Sequence, residues 1–440
     1  MNARHFDQIV ERWRAVAEKL PDGRTGQNGS YTMADFALSA FAVFFTQSPS
    51  FLSFQQNMEK VQGRNNARSL FGVERIPCDN QIREMLDPVP ASELFSLFDD
   101  LHQGLAQAGL LEDMRAVGNT RLIALDATWY FSSKKIQCEH CSCQRHADGT
   151  TTHYHSAITP VIVSPVHSQV VPLRPEFIRP QDGVEKQDCE INAAKRWLAA
   201  HAGRYGTGNE TLLGDDLYAH QPFCRQVLLH NFHFIFTCKP ASHSHLTGWV
   251  EGLASNGQVK QLNTRTRNKR KHWENHHYRW ANQVPLTDGE NPLKVNWCEV
   301  TVTNDEGRVL YRNAFITDWE IHADNVCGLV AAGRARWKIE NENNNTLKTK
   351  GYHLEHNFGH GKKHLSSLLL TMNLLAFGLH TLLDVTDASY RLVRAAVGAR
   401  RKFFQHLEAL TAYWFFDNWD GLMDFMMRGQ EVGPYAPQKS

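Results

Sequence analysis

Three things are scarce in this 440-residue sequence. The first is charge of one sign, since 47 lysines and arginines meet 46 aspartates and glutamates for a formal net charge of +1. That excludes a polycation coating nucleic acid over its whole surface, so any such surface must come from local basic patches. The second is an unbroken apolar run. The longest one, Leu365 to Leu383, is interrupted by Ser366, Ser367, Thr371, Asn373 and His380, which predicts a buried core helix and no membrane span. Residues 1–20 carry His5, Asp7, Glu11, Arg12 and Arg14 without an apolar centre, so no signal peptide is expected. The third is cysteine in matched pairs. Nine is odd, and without an export signal the thiols are expected to be reduced in a cytoplasmic protein. The length suffices for two or three domains with a sizeable core.

Carboxylates at the ends of apolar runs stand out against this plain background. Leu122-Ile123-Ala124-Leu125 ends in Asp126, and Leu212-Leu213-Gly214 ends in Asp215, with Asp216 as its rival. A third acid, Glu340, lies in Arg334–Gly351, which reads as a polar helix closed by Lys348, Lys350 and a left-handed cap at Gly351. Arg336 and Glu340 are four apart and share one face of that helix. An isolated Asp after a strand is most often a turn residue, and an Arg–Glu pair is most often a solvated helix face. Three such acids on separate elements, however, are what a two-metal phosphodiester site needs: two divalent ions roughly 4 Å apart, held by converging carboxylate oxygens. Magnesium suits that donor set, with manganese as its substitute.

The rest of the chain sorts by period. Residues 1–115 read as helical, with segments at Phe6–Val10, Tyr31–Phe45, a third starting at Ser50, and Leu94–Leu111. The polar stretch Arg64–Arg68 offers Arg and Asn side chains to phosphates and base edges, or merely packs. From Thr120 the pattern alternates: strands 121–126, 157–164 and 169–177, helix 185–202, strand 210–215, helix 218–230, strand 233–239. This is an α/β arrangement. Residues 240–322 form a β-rich insertion, with strands at Lys294–Thr303 and Arg308–Thr317. Residues 323–385 return to the core, and 386–440 form a helical tail, basic at Tyr390–Phe404 and loop-like after Trp419.

Two further clusters carry chemistry. Cys138, Cys141 and Cys143, followed by His146, His153 and His155, hold a Cys-x-x-Cys pair plus later ligands, so Cys138, Cys141, Cys143 and His153 are candidates for structural zinc. The usual second pair is absent, and a long hairpin with reduced thiols explains the same residues. His353, His356 and His360 lie in a later loop that reads as phosphate-facing or metal-binding. Within the insertion, Arg265, Arg267, Lys269, Arg270 and Lys271 are interleaved with Trp273, Trp280 and Tyr278, the composition that tracks phosphates and stacks bases. A β-hairpin edge protected by charge reads equally well there.

These residues resemble the DDE transposases of bacterial insertion sequences. The resemblance is to the cut-and-paste branch, whose third acid sits in a signature of Tyr, two residues, Arg, three residues, Glu, six residues, Lys. Arg336 and Glu340 fit within R-W-K-I-E. Gly333 stands at the Tyr position, and Leu347 at the Lys position with Lys348 one residue late. On an ideal helix Leu347 lies about 20° from the Glu340 direction and Lys348 roughly 80°. Further phrases are D-A-T-W-Y-F-S-S from Asp126, K-Q-D-C-E from Lys186, G-D-D-L-Y-A from Gly214 and G-Y-H-L-E-H-N-F-G-H-G from Gly351, over residues 120–385. The resemblance implies a ribonuclease H-like catalytic core at 116–239 and 323–385, metal-binding catalytic acids Asp126, Asp215 and Glu340, and DNA contacts from Arg336, Lys348 and Lys350. It also implies binding of inverted-repeat ends and target DNA, with two copies in the synaptic complex. The helical first region would bind DNA or dimerise, and Trp273, Trp280 or Trp297 would stack a flipped base. A nuclease on the same core without strand transfer, and a transposase-derived DNA-binding protein, remain alternatives.

Overall fold

The computed structural model describes residues 5–25, 29–59, 65–180, 186–268 and 270–437. Arg64 and Lys269 lie outside these residues. The chain is mixed α/β, with a helical first region and a mixed sheet.

Helix Met33–Phe45 is the pivot of the helical region. Thr32 caps it, accepting from the Asp35 N–H while the Asp35 carboxylate accepts from the Thr32 N–H. All thirteen of its residues are buried, so protein surrounds it on every side, the polar exceptions Asp35 and Ser39 included. Trp13 stacks on Phe41 at 4.1 Å, and Phe45 faces His380 of helix Leu365–Thr386. Among the described residues that long helix alone is apolar enough to cross a membrane by length and composition, but it is almost wholly enclosed by protein. It lies against Met33–Phe45 and Phe95–Gln107.

The C-terminal region packs onto the same helices. Tyr390–Phe404 is two helices, Ala388–Val397 and Arg400–Tyr413, broken at Gly398. Arg400, half-buried, donates to the Tyr352 hydroxyl at 2.7 Å. The stretch after Trp419 is a helix, Trp419–Gly429, and not a loop; buried Trp419 stacks on Phe6 at 4.5 Å. Asn66 is fully buried, donates to the carbonyls of Thr411 and Trp414 and accepts from the Phe416 N–H. It ties the two ends of the chain together and is not available to a base edge.

Among the described residues thirteen strands follow: β1 Arg121–Ala124, β2 Ala127–Ser133, β3 Ser142–Arg145, β4 Thr151–Ile158, β5 Val161–Val163, β6 Val171–Pro172, β7 Glu176–Ile178, β8 Glu210–Gly214, β9 His233–Thr237, β10 Lys260–Arg267, β11 Trp273–Pro285, β12 Lys294–Asn304 and β13 Val309–Thr317. Nine of them make one sheet in the order β10-β11-β12-β13-β9-β8-β1-β5-β6. At its centre β1, β8 and β9 run parallel, while β5 is antiparallel to β1 and β6 to β5. The insertion strands extend this sheet from β9 through β13.

The span between β1 and helix Lys186–Tyr205 is more divided than its hydrophobicity suggests. A separate small sheet is built on β4, with β2 on one side and β3 and β7 on the other. The expected strand 157–164 is therefore split. Residues up to Ile158 belong to the small sheet and Val161–Val163 to the large one, with Pro160 between them.

Candidate functional site

Adjacent parallel strands bring the first two acids together. The last register pair of β1 and β8 is Ala124 with Leu213, and the Leu125 N–H still donates to Leu213 at 2.9 Å. Two residues beyond that pair stand Asp126 and Asp215, side by side at the carboxyl ends of neighbouring strands, the usual position of ligand sites in open α/β sheets. Asp215 is further fixed by accepting from the Leu217 N–H at 3.0 Å. Asp216 turns elsewhere, toward the Lys239 N–H and His243.

The third acid arrives on a helix that is not regular. Helix Val326–Ala335 leads into a wide turn, Ile339–Asn344, where the Asn345 N–H reaches back five residues to the Glu340 carbonyl, and Asn345–Thr349 completes the run. Gly351 follows at φ +102°, the expected cap position. Arg336 and Glu340 share a face as predicted, with an ion pair of 2.7 Å. A wide turn takes one residue more than an α-helical turn. The eight-residue step to Lys348 therefore covers about the angle of a seven-residue step, bringing it to about 20° from Glu340 where an ideal helix leaves it roughly 80° away. Leu347 is fully buried, and Lys348 pairs with Glu355 at 2.8 Å. Lys350 is exposed. Gly333 packs so closely that an added Cβ would meet Phe315 at 2.7 Å, leaving no room for a tyrosine.

Two of the three asparagines in the run are not solvated, while Asn345 is exposed. Asn344 donates to the Asp126 carboxylate at 3.0 Å and accepts from Thr159 at 3.1 Å, while Asn343 donates to Asn344 at 3.0 Å. Asn343 and Asn344 are buried, so the wide turn is bolted to the end of β1. Buried Lys338 holds the same segment by donating to the carbonyls of Ser164 and His167.

A fourth acid belongs to the group. Glu190, on helix Lys186–Tyr205, accepts from the Tyr218 hydroxyl at 2.8 Å. Burial, then the charge of Glu190, pushes the Asp126 carboxyl up to about 7; Arg336 opposes the rise, and Glu340 and Asp215 add to it. Crowded carboxylates with one member held partly neutral are a place where a cation would be welcome. Glu190 sits within the K-Q-D-C-E phrase, but its spacing gave no sign of its role.

The thiol cluster differs from the sequence expectation in half its members. Cys138, Cys141, His155 and His360 lie together, each offering one donor atom within 4.8 Å of the others. This set could bind a metal such as zinc. Cys143 and His153 are not part of it: they face each other across β3 and β4, with Cys143 exposed. His153 and His155 are two apart in one strand and point to the same face, so alternation does not choose between them. Depth does, because only His155 is buried. His360 comes from the loop after the Glu340 helix, 205 residues beyond His155, and no local spacing announces it.

The basic run lies on the β10–β11 hairpin at the edge of the large sheet. Arg265 and Arg267 flank the ring of half-exposed Trp273, at 4.6 and 4.4 Å from its centroid, and Arg265 also pairs with Asp305 at 2.6 Å. Arg270 and Lys271 are exposed in the connecting turn. Trp280 and Trp297 are buried core residues and cannot meet a base in this conformation. No protein-family model matches the chain, and no curated protein matches it.

Proposed function

We propose that this protein is a DDE transposase, acting in the cytoplasm on the inverted-repeat ends of its insertion sequence and joining them to target DNA. The observation that carries this reading is the register of β1 and β8, which sets Asp126 beside Asp215, with Asn344 linking Asp126 to the helix that bears Glu340. The order β6-β5-β1-β8-β9, with two antiparallel neighbours on one side of β1 and two parallel ones on the other, supports a ribonuclease H-like core. The β-rich insertion then extends that core from its last parallel strand.

The donor set fits hard divalent ions, being carboxylates only, with Asp126 raised to about 7 by burial and by its neighbours. Asp126, Asp215 and Glu340 would hold magnesium or manganese, which would supply charge to activate an attacking oxygen and to stabilise a leaving one. Asn344 orients Asp126, and Arg336 holds Glu340 while keeping guanidinium N–H groups for a backbone phosphate. Lys348, returned to the Glu340 face by the wide turn, is a second phosphate ligand once it leaves Glu355. Lys350 and the Arg265, Arg267, Arg270 and Lys271 hairpin track the backbone further out, and two copies of the chain hold the two ends.

The test is cleavage of a duplex carrying the flanking inverted repeat, with magnesium, for wild type and Glu340→Gln. Cutting at the repeat boundary that the mutant loses while still binding DNA is the expected result. Equal cutting by both proteins would remove Glu340 from the site. Cutting without joining a pre-cleaved end to target would leave a nuclease on the same core. Binding without cutting by either protein would leave a DNA-binding protein.

A further inference from the structure

We propose that Cys138, Cys141, His155 and His360 bind a structural zinc ion, which pins the loop after the Glu340 helix to the sheet that begins after Asp126. The inference does not rest on the transposase reading. Its basis is the spacing of the donor atoms. Tetrahedral zinc with Zn–S near 2.3 Å and Zn–N near 2.0–2.1 Å requires S···S of about 3.8 Å, S···N of about 3.5 Å and N···N of about 3.4 Å. The Cys138 and Cys141 sulfurs are 3.8 Å apart. His155 Nε2 lies 3.5 Å from the Cys138 sulfur and 3.4 Å from the Cys141 sulfur. His360 Nε2 is 3.4 Å from the Cys141 sulfur and 3.1 Å from His155 Nε2. Five edges of one tetrahedron thus fall within about 0.3 Å of the values the ion dictates. Packing for apolar contact alone has no reason to set them so.

The surroundings are those of a metal site. His360 donates its Nδ1–H to the Gly361 carbonyl at 2.9 Å, which leaves Nε2 as the lone-pair nitrogen facing the cluster. The Cys138 N–H points at the Cys141 sulfur at 3.4 Å, and the Cys141 N–H closes a turn onto the Cys138 carbonyl at 3.2 Å. This is the local geometry that lets two cysteines three apart face one ion. Phe131 covers both imidazoles, at 5.7 Å from His155 and 4.4 Å from His360, and Tyr130 stacks on His155 at 5.8 Å. Two thiols and two imidazoles at tetrahedral spacing select zinc over magnesium or calcium.

The ion's place in the chain gives it a task. His155 pairs with Phe131 of β2, the strand that starts one residue after Asp126. His360 lies 20 residues after Glu340. The loop carrying it is also held by Arg83, which donates to the Phe358 carbonyl at 2.9 Å, and by Asp87, which accepts from the N–H groups of Lys362 and Lys363. Zinc would add a bond of far greater strength between the downstream flank of one acid and that of another.

Metal analysis of the purified, exhaustively dialysed chain tests this without DNA. The expected content is about one zinc per chain, lost in Cys138→Ser and in His360→Ala and retained in Cys143→Ser and His153→Ala. Should the ligand variants fail to fold, cobalt exchanged into wild type decides: thiolate charge-transfer and tetrahedral visible bands are expected. Absent zinc, a different stoichiometric metal, or an octahedral cobalt spectrum would each overturn the proposal. Limited proteolysis between Tyr352 and His364 tests the pin. Chelation should speed cleavage there by at least about 10-fold, and an unchanged rate would overturn the coupling.

Discussion

The acidic cluster and the thiol–imidazole cluster share two regions of chain, the stretch after β1 and the segment running from the Glu340 helix into its following loop, with Asp215 and Glu190 added on the acidic side, yet they are finished to different degrees. The four soft donors already stand at the distances an ion would impose. The acids do not: Glu340 leans on Arg336, Asp126 leans on Asn344, and burial with neighbouring charge disfavours ionising Asp126. Under the proposed function the acidic site would have to admit DNA, metal and water and so stay incomplete, whereas a site that only joined loops could be closed in advance.

The largest expected effect breaks the comparison on the acidic side. Asp126→Asn, Asp215→Asn or Glu340→Gln should lower cleavage by at least about 100-fold, the scale of losing one group that stabilises transition-state charge, with zinc content unchanged. Loss of zinc in any of these variants would show that the two clusters are not separable.

The next effect sharpens the comparison through pH. Asp126 titrates near 7 in the folded chain and about 3.9 when unfolded. Between those values the folded state keeps a proton that the unfolded state has released. The contribution of Asp126 to the stability of the magnesium-free protein therefore falls as pH rises from about 4 to about 7 and levels off above. In thermal unfolding across that window, the stability of wild type relative to Asp126→Asn should decline as pH rises, the buried histidines contributing equally to both proteins. Magnesium should bind more tightly as pH rises, since it favours the ionised carboxylate. A wild-type-minus-Asp126→Asn difference that does not change with pH would remove the shift from Asp126.

Smaller effects lie outside both clusters. Trp273→Ala should weaken DNA binding by about 1–3 kcal/mol, the cost of one lost stacking platform, in a fluorescence titration at fixed salt. Trp297→Ala should instead destabilise the fold. Gly333→Ala forces a Cβ against Phe315 and should cost about 1–3 kcal/mol of stability in denaturant unfolding.

The sequence makes the acidic side much easier to read than the thiol side, for a physical reason. Asp126 and Asp215 each end an apolar run, and a strand's end is visible locally. Pairing of the parallel strands then does the rest. Cys138 and Cys141 are equally visible as a short-range pair. His360 is not, because its partners are brought to it by a fold in which β4 and the loop after Thr349 converge, and nothing in its own neighbours distinguishes it from His353 or His356. The wide turn is also illegible: Asn343 and Asn344 look solvated in sequence, and their burial depends on Thr159 and Asp126 far upstream. β12 and β13 of the insertion and helix Leu365–Thr386 are readable from pattern alone, whereas β10 and β11 stand out in the sequence for their basic and aromatic residues and not for their period. The small sheet is not readable in this way, since one apolar stretch across residues 157–163 serves two sheets.

The buried amide of Asn66 has a consequence for how the molecule comes into being. Its acceptors and donor at Thr411, Trp414 and Phe416 lie up to 350 residues later. At 5–20 residues per second a ribosome needs roughly 20–70 s to supply them. Through that interval the nascent helices around Phe6, Phe45 and Phe71 lack the Trp419 ring that completes their packing. The first segment made is thus among the last to reach its native state, and stalled chains ending before Trp414 should remain protease-sensitive at the front while released full-length chains do not.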